Sequence, residues 1–258
     1  MTLAAFARIS IPPGLARWRD ALALIALVLA AWQGLYWFAG DVALTSPAQT
    51  FIQLGKMLSD PRFLPHVQET GLAFIQGFAI AVVLGLAIGT TLGAHRMSGE
   101  VGEPILVALY SIPKVTLYPI ILLVFGIGMP AKVAFGAIQG IVPISLFAMN
   151  SIRNIRPVLT RTGRVLRLGP SAMVAHVIIP AALPEIVTGL RVGFSLTLVG
   201  TLLGEMFGAQ RGLGFLLLQA MGVHNMRTIM AVTLLLVIFA ASVNAVLLGI
   251  ERRLRERG

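Results

Sequence analysis

Six apolar runs of about 18 to 23 residues, separated by short basic segments, constrain this chain more than any other feature. They cover residues 21–38, 72–92, 104–125, 131–149, 187–207 and 228–250. About 20 largely apolar residues carry a helix across the hydrocarbon core of a bilayer. Backbone polar groups in lipid must be satisfied within the segment itself, so the runs predict an all-α polytopic membrane protein of six transmembrane helices. The third run holds Pro113, Lys114 and Pro119 and is expected to be kinked or broken. Such a break survives at membrane depth only where neighbouring helices or a water-filled path satisfy the freed backbone groups. The first run is too long for the core of a signal peptide and lacks a well-placed small-residue cleavage site, so it reads as a retained span. The expected organisation is a tail over 1–20, a membrane domain over 21–250 and a second tail over 251–258.

Hydrophobic residues are 57% and charged residues 12% of the chain, with a mean hydropathy of +0.89. A soluble domain needs far more charge to cover its surface. The net charge of +10 does not point to nucleic acid, because the basic residues sit in loops and tails between apolar runs. Topology control and attraction to the lipid surface account for that distribution. There is no cysteine, which excludes disulfides, thiol catalysis and thiolate metal sites. Thirteen Lys and Arg lie on one side (Arg8, Arg17, Arg19, Arg96, the five arginines of residues 150–185, Arg252, Arg253, Arg255 and Arg257). Five lie on the other (Lys56, Arg62, Lys132, Arg211 and Arg227), which predicts that both termini are cytoplasmic.

Small residues recur every fourth position in the second run, at Gly77, Ala81, Gly85, Gly89 and Gly93, and again around the fifth, at Gly189 and Gly193 and then at Gly200, Gly204, Gly208 and Gly212. Such ridges let helix backbones approach closely, either inside one bundle or between subunits, with the single bundle favoured. No internal repeat is visible, which weakens a secondary-transporter reading built on inverted repeats.

The largest polar element is the loop 150–185, with Arg153, Arg156, Arg161, Arg164 and Arg167. Taken as a helix from 153 to 168, it places Arg153, Arg156, Arg164 and Arg167 on one arc, and Val158, Leu159, Val165 and Leu166 on the opposite side. The phase across Pro157 stays open. Gly169 reads as a positive-φ helix stop, and Pro170-Ser171 opens a second helical stretch that ends near Pro180. Charge pattern alone does not separate a topology-setting surface loop from a docking element.

The chain resembles the permease subunits of binding-protein-dependent ABC importers, in particular the nitrate/sulfonate/taurine branch. Their cytoplasmic loop reads Glu-Ala-Ala, three residues, Gly, then a helix ending in an Ile-x-x-Pro or Leu-Pro-like segment. Here Leu168-Gly169 and Val177-Ile178-Ile179-Pro180-Ala181-Ala182-Leu183-Pro184 match, whereas Gly163-Arg164-Val165 replaces Glu-Ala-Ala. Ile112-Pro113-Lys114-Val115 with Pro119 and Phe125-Gly126-Ile127-Gly128 also match, as do Gly204-Glu205-Met206 and Gly212-Leu213-Gly214, so the likeness spans about residues 69 to 245. The resemblance implies a type I importer fold in the bacterial inner membrane. It further implies a second permease copy, ATP-binding subunits at the loop and an external substrate-binding protein. Gly163, Arg164, Val165, Arg167, Leu168, Gly169, Pro170, Ser171 and Pro180 become the ATPase-coupling residues. The cargo would be a small sulfonate, taurine-, nitrate- or bicarbonate-like molecule.

Pro113, Lys114, Pro119, Glu205, Met206, Gly212 and Gly214 are candidates for the pathway or gate. Charges at membrane depth are costly and are suspected of function by default. Glu205 either lines the pathway or accepts backbone N–H bonds from the adjacent loop helix, and Lys114 is placed to reach carbonyls freed at the break. Arg191 is expected to snorkel to the headgroups, and Arg153 and Arg156 to serve lipid and topology. Gly212-Leu213-Gly214 reads as a short outer hairpin able to gate. No P-loop, metal spacing, acid/base pair or nucleophile constellation is present, so the chain is expected to be a transport subunit without cofactor or catalysis of its own. The competing reading, a standalone channel or secondary transporter, needs intramembrane coupling groups or repeats.

Overall fold

A computed structural model describes residues 13–40 and 43–257, and these contain helices and no strand. Arg8 and the side chains of Arg17 and Arg257, read above as loop and tail charges, lie outside it. Five helical segments are long and apolar enough to cross a membrane: Arg19–Ala39, Leu64–Ala94, Met129–Arg153, Pro170–Gly208 and Met226–Glu256. A sixth candidate is a pair, Arg96–Ser111 with Lys114–Phe125, bent by 83°. In chain order the elements are α1 (Pro13–Ala39), α2 (Pro47–Leu58), α3 (Leu64–Ala94), α4 (Arg96–Ser111), a 3₁₀ turn (Lys114–Leu117) and α5 (Tyr118–Phe125). There follow α6 (Met129–Arg153), α7 (Pro157–Val165), the single turn α8 (Pro170–Met173), a π-helical turn (Val174–Ile178), α9 (Ile179–Gly208), α10 (Leu213–Gly222) and α11 (Met226–Arg257).

The core is a sandwich of α3, α6 and α9, and the glycine ridges explain its closeness. A Cβ on Gly77 would stand 3.1 Å from Val133 O, one on Gly85 2.7 Å from Ile144 Cβ, and one on Gly93 2.9 Å from Met149 O. Residue numbers rise together along this seam, so α3 and α6 are parallel. Gly204 meets Lys132, Gly200 meets Gly136 and Gln139, and Gly189 meets Phe147, so α9 runs antiparallel to α6. The ridges therefore serve packing within the chain. Phe74, Phe194 and Phe239 tie α3 and α9 to α11 through edge-on and tilted ring contacts at 5.1–6.2 Å. Much of the remaining surface is apolar and exposed, as a lipid-facing bundle requires.

The break in the third run falls at Ile112–Pro113. Ile112 is extended (ψ 132°), the conformation a following proline imposes. Helix α2 had no counterpart in the sequence reading. Its start is nevertheless encoded in a capping box, since Ser46 Oγ accepts from Gln49 N and Gln49 Oε1 accepts from Ser46 N. Helix α1 touches the bundle lightly; Trp32 Nε1 donates to Thr45 O at 3.0 Å.

Candidate functional site

Two polar assemblies occupy opposite ends of the α3–α6–α9 core. The first is the elbow built from α7 and α8. The last turn of α7 closes with Arg167 N donating to Arg164 O (2.9 Å) and Leu168 N donating to Gly163 O (3.0 Å). This double bond is the Schellman arrangement, which needs a left-handed residue at the position just past the helix cap. That residue is Arg167, with φ 53°. Gly169, the expected positive-φ stop, instead has φ −64° and ψ 163°, opens α8 as its N-cap, and has free space where a Cβ would go. Left-handed backbone thus falls two residues earlier than the glycine indicates.

Gly163 is buried under Met173 and Leu168: a Cβ there would lie 2.7 Å from Met173 Sδ. Arg164, Val165, Arg167, Gly169, Pro170 and Ser171 are exposed. Pro180 does not end a helix. The π turn carries α8 directly into α9, so residues 170–208 form one helical run of 39 residues. The wider π turn absorbs the clash that the Pro180 ring would make with the carbonyl of His176. A cleft of about 590 Å³ separates the elbow from the start of α9 and the end of α11, with Arg156, Leu166, Pro180 and Arg255 among its walls.

Two arginines are placed differently from the sequence reading. Arg153 belongs to the end of α6, and its Nη1 donates to Glu103 Oε2 at 2.6 Å, clamping α4 to α6. It is not on the α7 face, because the helix breaks at residues 154–156. Arg191, expected to snorkel, pairs with Glu251 at 3.1 Å, which also receives Arg255 at 2.9 Å. Both arginines find a carboxylate on an adjacent helix.

The second assembly centres on Glu205, which is fully buried. Thr70 Oγ1 donates to its carboxylate at 2.8–2.9 Å, and Gly214 N donates to Oε2 at 2.9 Å. Thr70 Oγ1 in turn accepts from Leu213 N at 2.7 Å, and Gly212 N donates to His66 Nδ1 at 3.2 Å. The Gly212–Gly214 segment is therefore the first turn of α10, held on Glu205, and not a hairpin. Gly212 has φ 126°, and a Cβ on it would collide with the Glu205 carboxylate. A Cβ on Gly214 would meet Leu202 O. Glycine is required at both.

Lys132 completes this cluster, whereas the sequence reading only counted it among the charges of the outer side. It is 1% exposed; its Nζ lies 2.9 Å from Glu69 Oε1, 3.5 Å from Glu205 Oε1 and 3.5 Å from Arg211 O. A signal was present: Lys132 stands at the start of one apolar run and Glu205 near the end of another, and an antiparallel pairing of those runs brings them face to face. Lys114 does not join them. Its ammonium reaches Tyr110 O at 3.4 Å and sits 5.3 Å from the Tyr110 ring centroid. Pro113 caps the 3₁₀ turn, Pro119 lies in the first turn of α5, and Met206 is half-buried beside Glu205.

An all-helical bundle with tight glycine seams, a broken span, a buried charge cluster at one end and a protruding elbow at the other defines a polytopic membrane protein of transporter type. Residues 77–257 match the family described as binding-protein-dependent transport system inner membrane component. The chain is 28% identical over 230 residues to the bicarbonate transport system permease protein CmpB of Synechococcus elongatus, covering 81% of this chain and 82% of that one. It is 29% identical over 205 residues to the nitrate import permease protein NrtB of Synechocystis (76% and 74%). Over 174 residues it is 27% identical to the taurine transport system permease protein TauC of Escherichia coli (67% and 63%). A solved chain of the MetNI methionine ABC transporter in an inward-facing conformation superposes with a TM-score of 0.53 at 22% identity, covering 72% of this chain and 91% of that one. The chain belongs to the binding-protein-dependent transport system inner membrane component family: it is a permease subunit of an ABC importer.

Proposed function

We propose that the elbow 157–173 is the handle through which a separate ATP-hydrolysing subunit drives the permease, and that the Glu205 end faces outward to receive cargo from a substrate-binding protein. Two copies of the chain enclose the path, both termini are cytoplasmic, and the cargo is a small anion or zwitterion of the sulfonate, taurine, nitrate or bicarbonate kind. The relatives transporting bicarbonate, nitrate and taurine support the cargo class.

The observation that carries the handle is at Gly169. Its dihedrals are available to any residue, a Cβ would meet no atom within 4 Å, and Ser or Asp would cap α8 better. Nothing among the described residues requires glycine there, whereas close apposition of a partner surface to the elbow would favour it. Val158, Val165 and Leu166 are 69%, 82% and 67% exposed beside Arg164 and Arg167, giving the elbow an apolar patch with basic neighbours. Such a patch fits a cleft edged with carboxylates. The unbroken run of 39 residues then carries displacement at the elbow over a length on the order of 58 Å, to Glu205 and α10.

The experiment is Gly169→Asp, tested on the purified permease with its ATP-hydrolysing subunit. Because Asp is a good N-cap, thermal stability of the permease alone stays unchanged or rises slightly. Capture of the ATPase subunit and uptake into vesicles are lost. Normal capture and uptake in this variant would remove the handle from the mechanism.

A further inference from the structure

The Lys132 ammonium is shared unequally. Glu205 is fixed from the interior by Gly214 N and Thr70 Oγ1, and lies 3.5 Å from Nζ. Glu69 is closer, at 2.9 Å, but sits at the rim with its side chain 31% exposed. No other hydrogen bond or ion pair holds Glu69 among the described residues. One carboxylate is structural and the other is free to leave, because a rim carboxylate that swings out is rehydrated at little cost.

Outside this pair lies a cavity of about 410 Å³ bounded by Glu69, Lys132, Gly128, Ile127, Gln210 and Arg211. The Arg211 guanidinium has no ion-pair partner among the described residues, and the backbone N–H groups of Gln210 and Arg211 donate to no protein acceptor there. With Glu69 in place, Lys132 faces two carboxylates. With Glu69 displaced, Lys132 keeps Glu205 at 3.5 Å and turns its outer side to a cavity that Gln210 and Arg211 also line, so an ammonium, a guanidinium and N–H donors adjoin one space, the set that holds a planar or tetrahedral oxyanion.

We propose that this vestibule is an oxyanion site in which a small sulfonate-, nitrate- or bicarbonate-like anion takes the place of the Glu69 carboxylate on Lys132, with Arg211 as the second cation. The exchange puts one anion in the place of another beside the Lys132–Glu205 pair, so the net charge around Lys132 does not change as the anion enters. The inference deepens the anionic-cargo reading above and rests on it. Lys132 also touches Arg211 O, the link from α9 into α10, so arrival of the anion is felt where α10 is anchored.

The test uses the full chain in lipid nanodiscs, titrated with ethanesulfonate and with nitrate against chloride at constant ionic strength, binding being read by isothermal calorimetry. Wild-type protein binds the oxyanions weakly, and Glu69→Gln, which removes the charged competitor, binds them about tenfold or more tightly. Arg211→Gln lowers the affinity in both backgrounds. Lys132→Met abolishes binding, and if that variant fails to fold, Glu69→Gln and Arg211→Gln still decide the matter. Unchanged or weaker binding in Glu69→Gln overturns the site. Heat appearing only on addition of ligand-free binding protein, and not with free anion, overturns it in favour of an acidic side chain of that protein. Capture of the ATPase subunit is measured on the same preparations. Intact capture without anion binding removes this site and leaves the elbow as the handle, whereas lost capture in wild type removes the elbow reading and not the site.

Discussion

At the residue scale, the left-handed turn of the elbow rests on an arginine. Arg167 adopts φ 53° so that Gly163 O and Arg164 O can both be satisfied. For a residue with a Cβ this region costs about 1–2 kcal/mol relative to the right-handed one. Arg167→Gly is therefore expected to raise the stability of the elbow by about 1 kcal/mol, less what the more flexible unfolded chain regains. Slower proteolysis between residues 157 and 173 would report it, and accelerated cleavage would show that the Arg167 side chain anchors the turn. The same residue explains a misreading from sequence. A lone glycine after a basic amphipathic stretch predicts the turn correctly within two residues, but the hydrogen-bond register decides which residue bears the strain, and the bond pair was not legible. Gly163 escapes local rules in the same way, because its partner Met173 lies beyond the turn.

At the element scale, the glycine ridge of α3 supplies the sharpest expectation. In α3, a Cβ on Gly89 would collide with Ser145 O and stand 2.6 Å from Ala148 Cβ, both on α6. Neither the carbonyl nor the helix behind it yields without parting the seam. Gly89→Ala is expected to cost about 1–3 kcal/mol, as overpacking does in tight cores. Gly55→Ala in the amphipathic α2 meets no atom within 4 Å and should gain about 0.5–1 kcal/mol. Opposite shifts in the thermal midpoint of the two variants in detergent check the seam, and a neutral Gly89→Ala would contradict it. The ridge itself was readable, since a spacing of four on one helix face is local. The fusion of α8, the π turn and α9 was not, because Pro180 read as a stop. Its tolerance depends on the π turn Val174–Ile178 beneath it.

At the scale of the whole molecule, length and composition give five crossing helices or six, depending on whether the bent pair of α4 and α5 traverses the bilayer. The packing decides. Because Gly77, Gly85 and Gly93 meet successively higher residues of α6, α3 and α6 point the same way. The chain leaving Ala94 must therefore return to the opposite end before Met129, and the only elements between them are α4, the 3₁₀ turn and α5. The pair therefore runs the length of the bundle despite its 83° bend, and Gly128 N donating to Gly208 O at 3.0 Å fixes its far end beside the Glu205 cluster. Composition could not have given this, since the contacts that set direction join residues more than fifty positions apart. A chain without cysteine is a ready background for single labels. Met97, 80% exposed, and Ser171 stand at one end; Ile127, 74% exposed, and Gln210 stand at the other. With cysteine at each in turn, a membrane-impermeant maleimide applied to intact cells should label positions 127 and 210 and spare 97 and 171 until the cells are opened. A full reversal inverts the orientation derived from the basic residues while keeping six crossings. Labelling of 97 and 127 together from one side would mean that the bent pair dips in and returns, and the parallel arrangement of α3 and α6 would then have to be wrong.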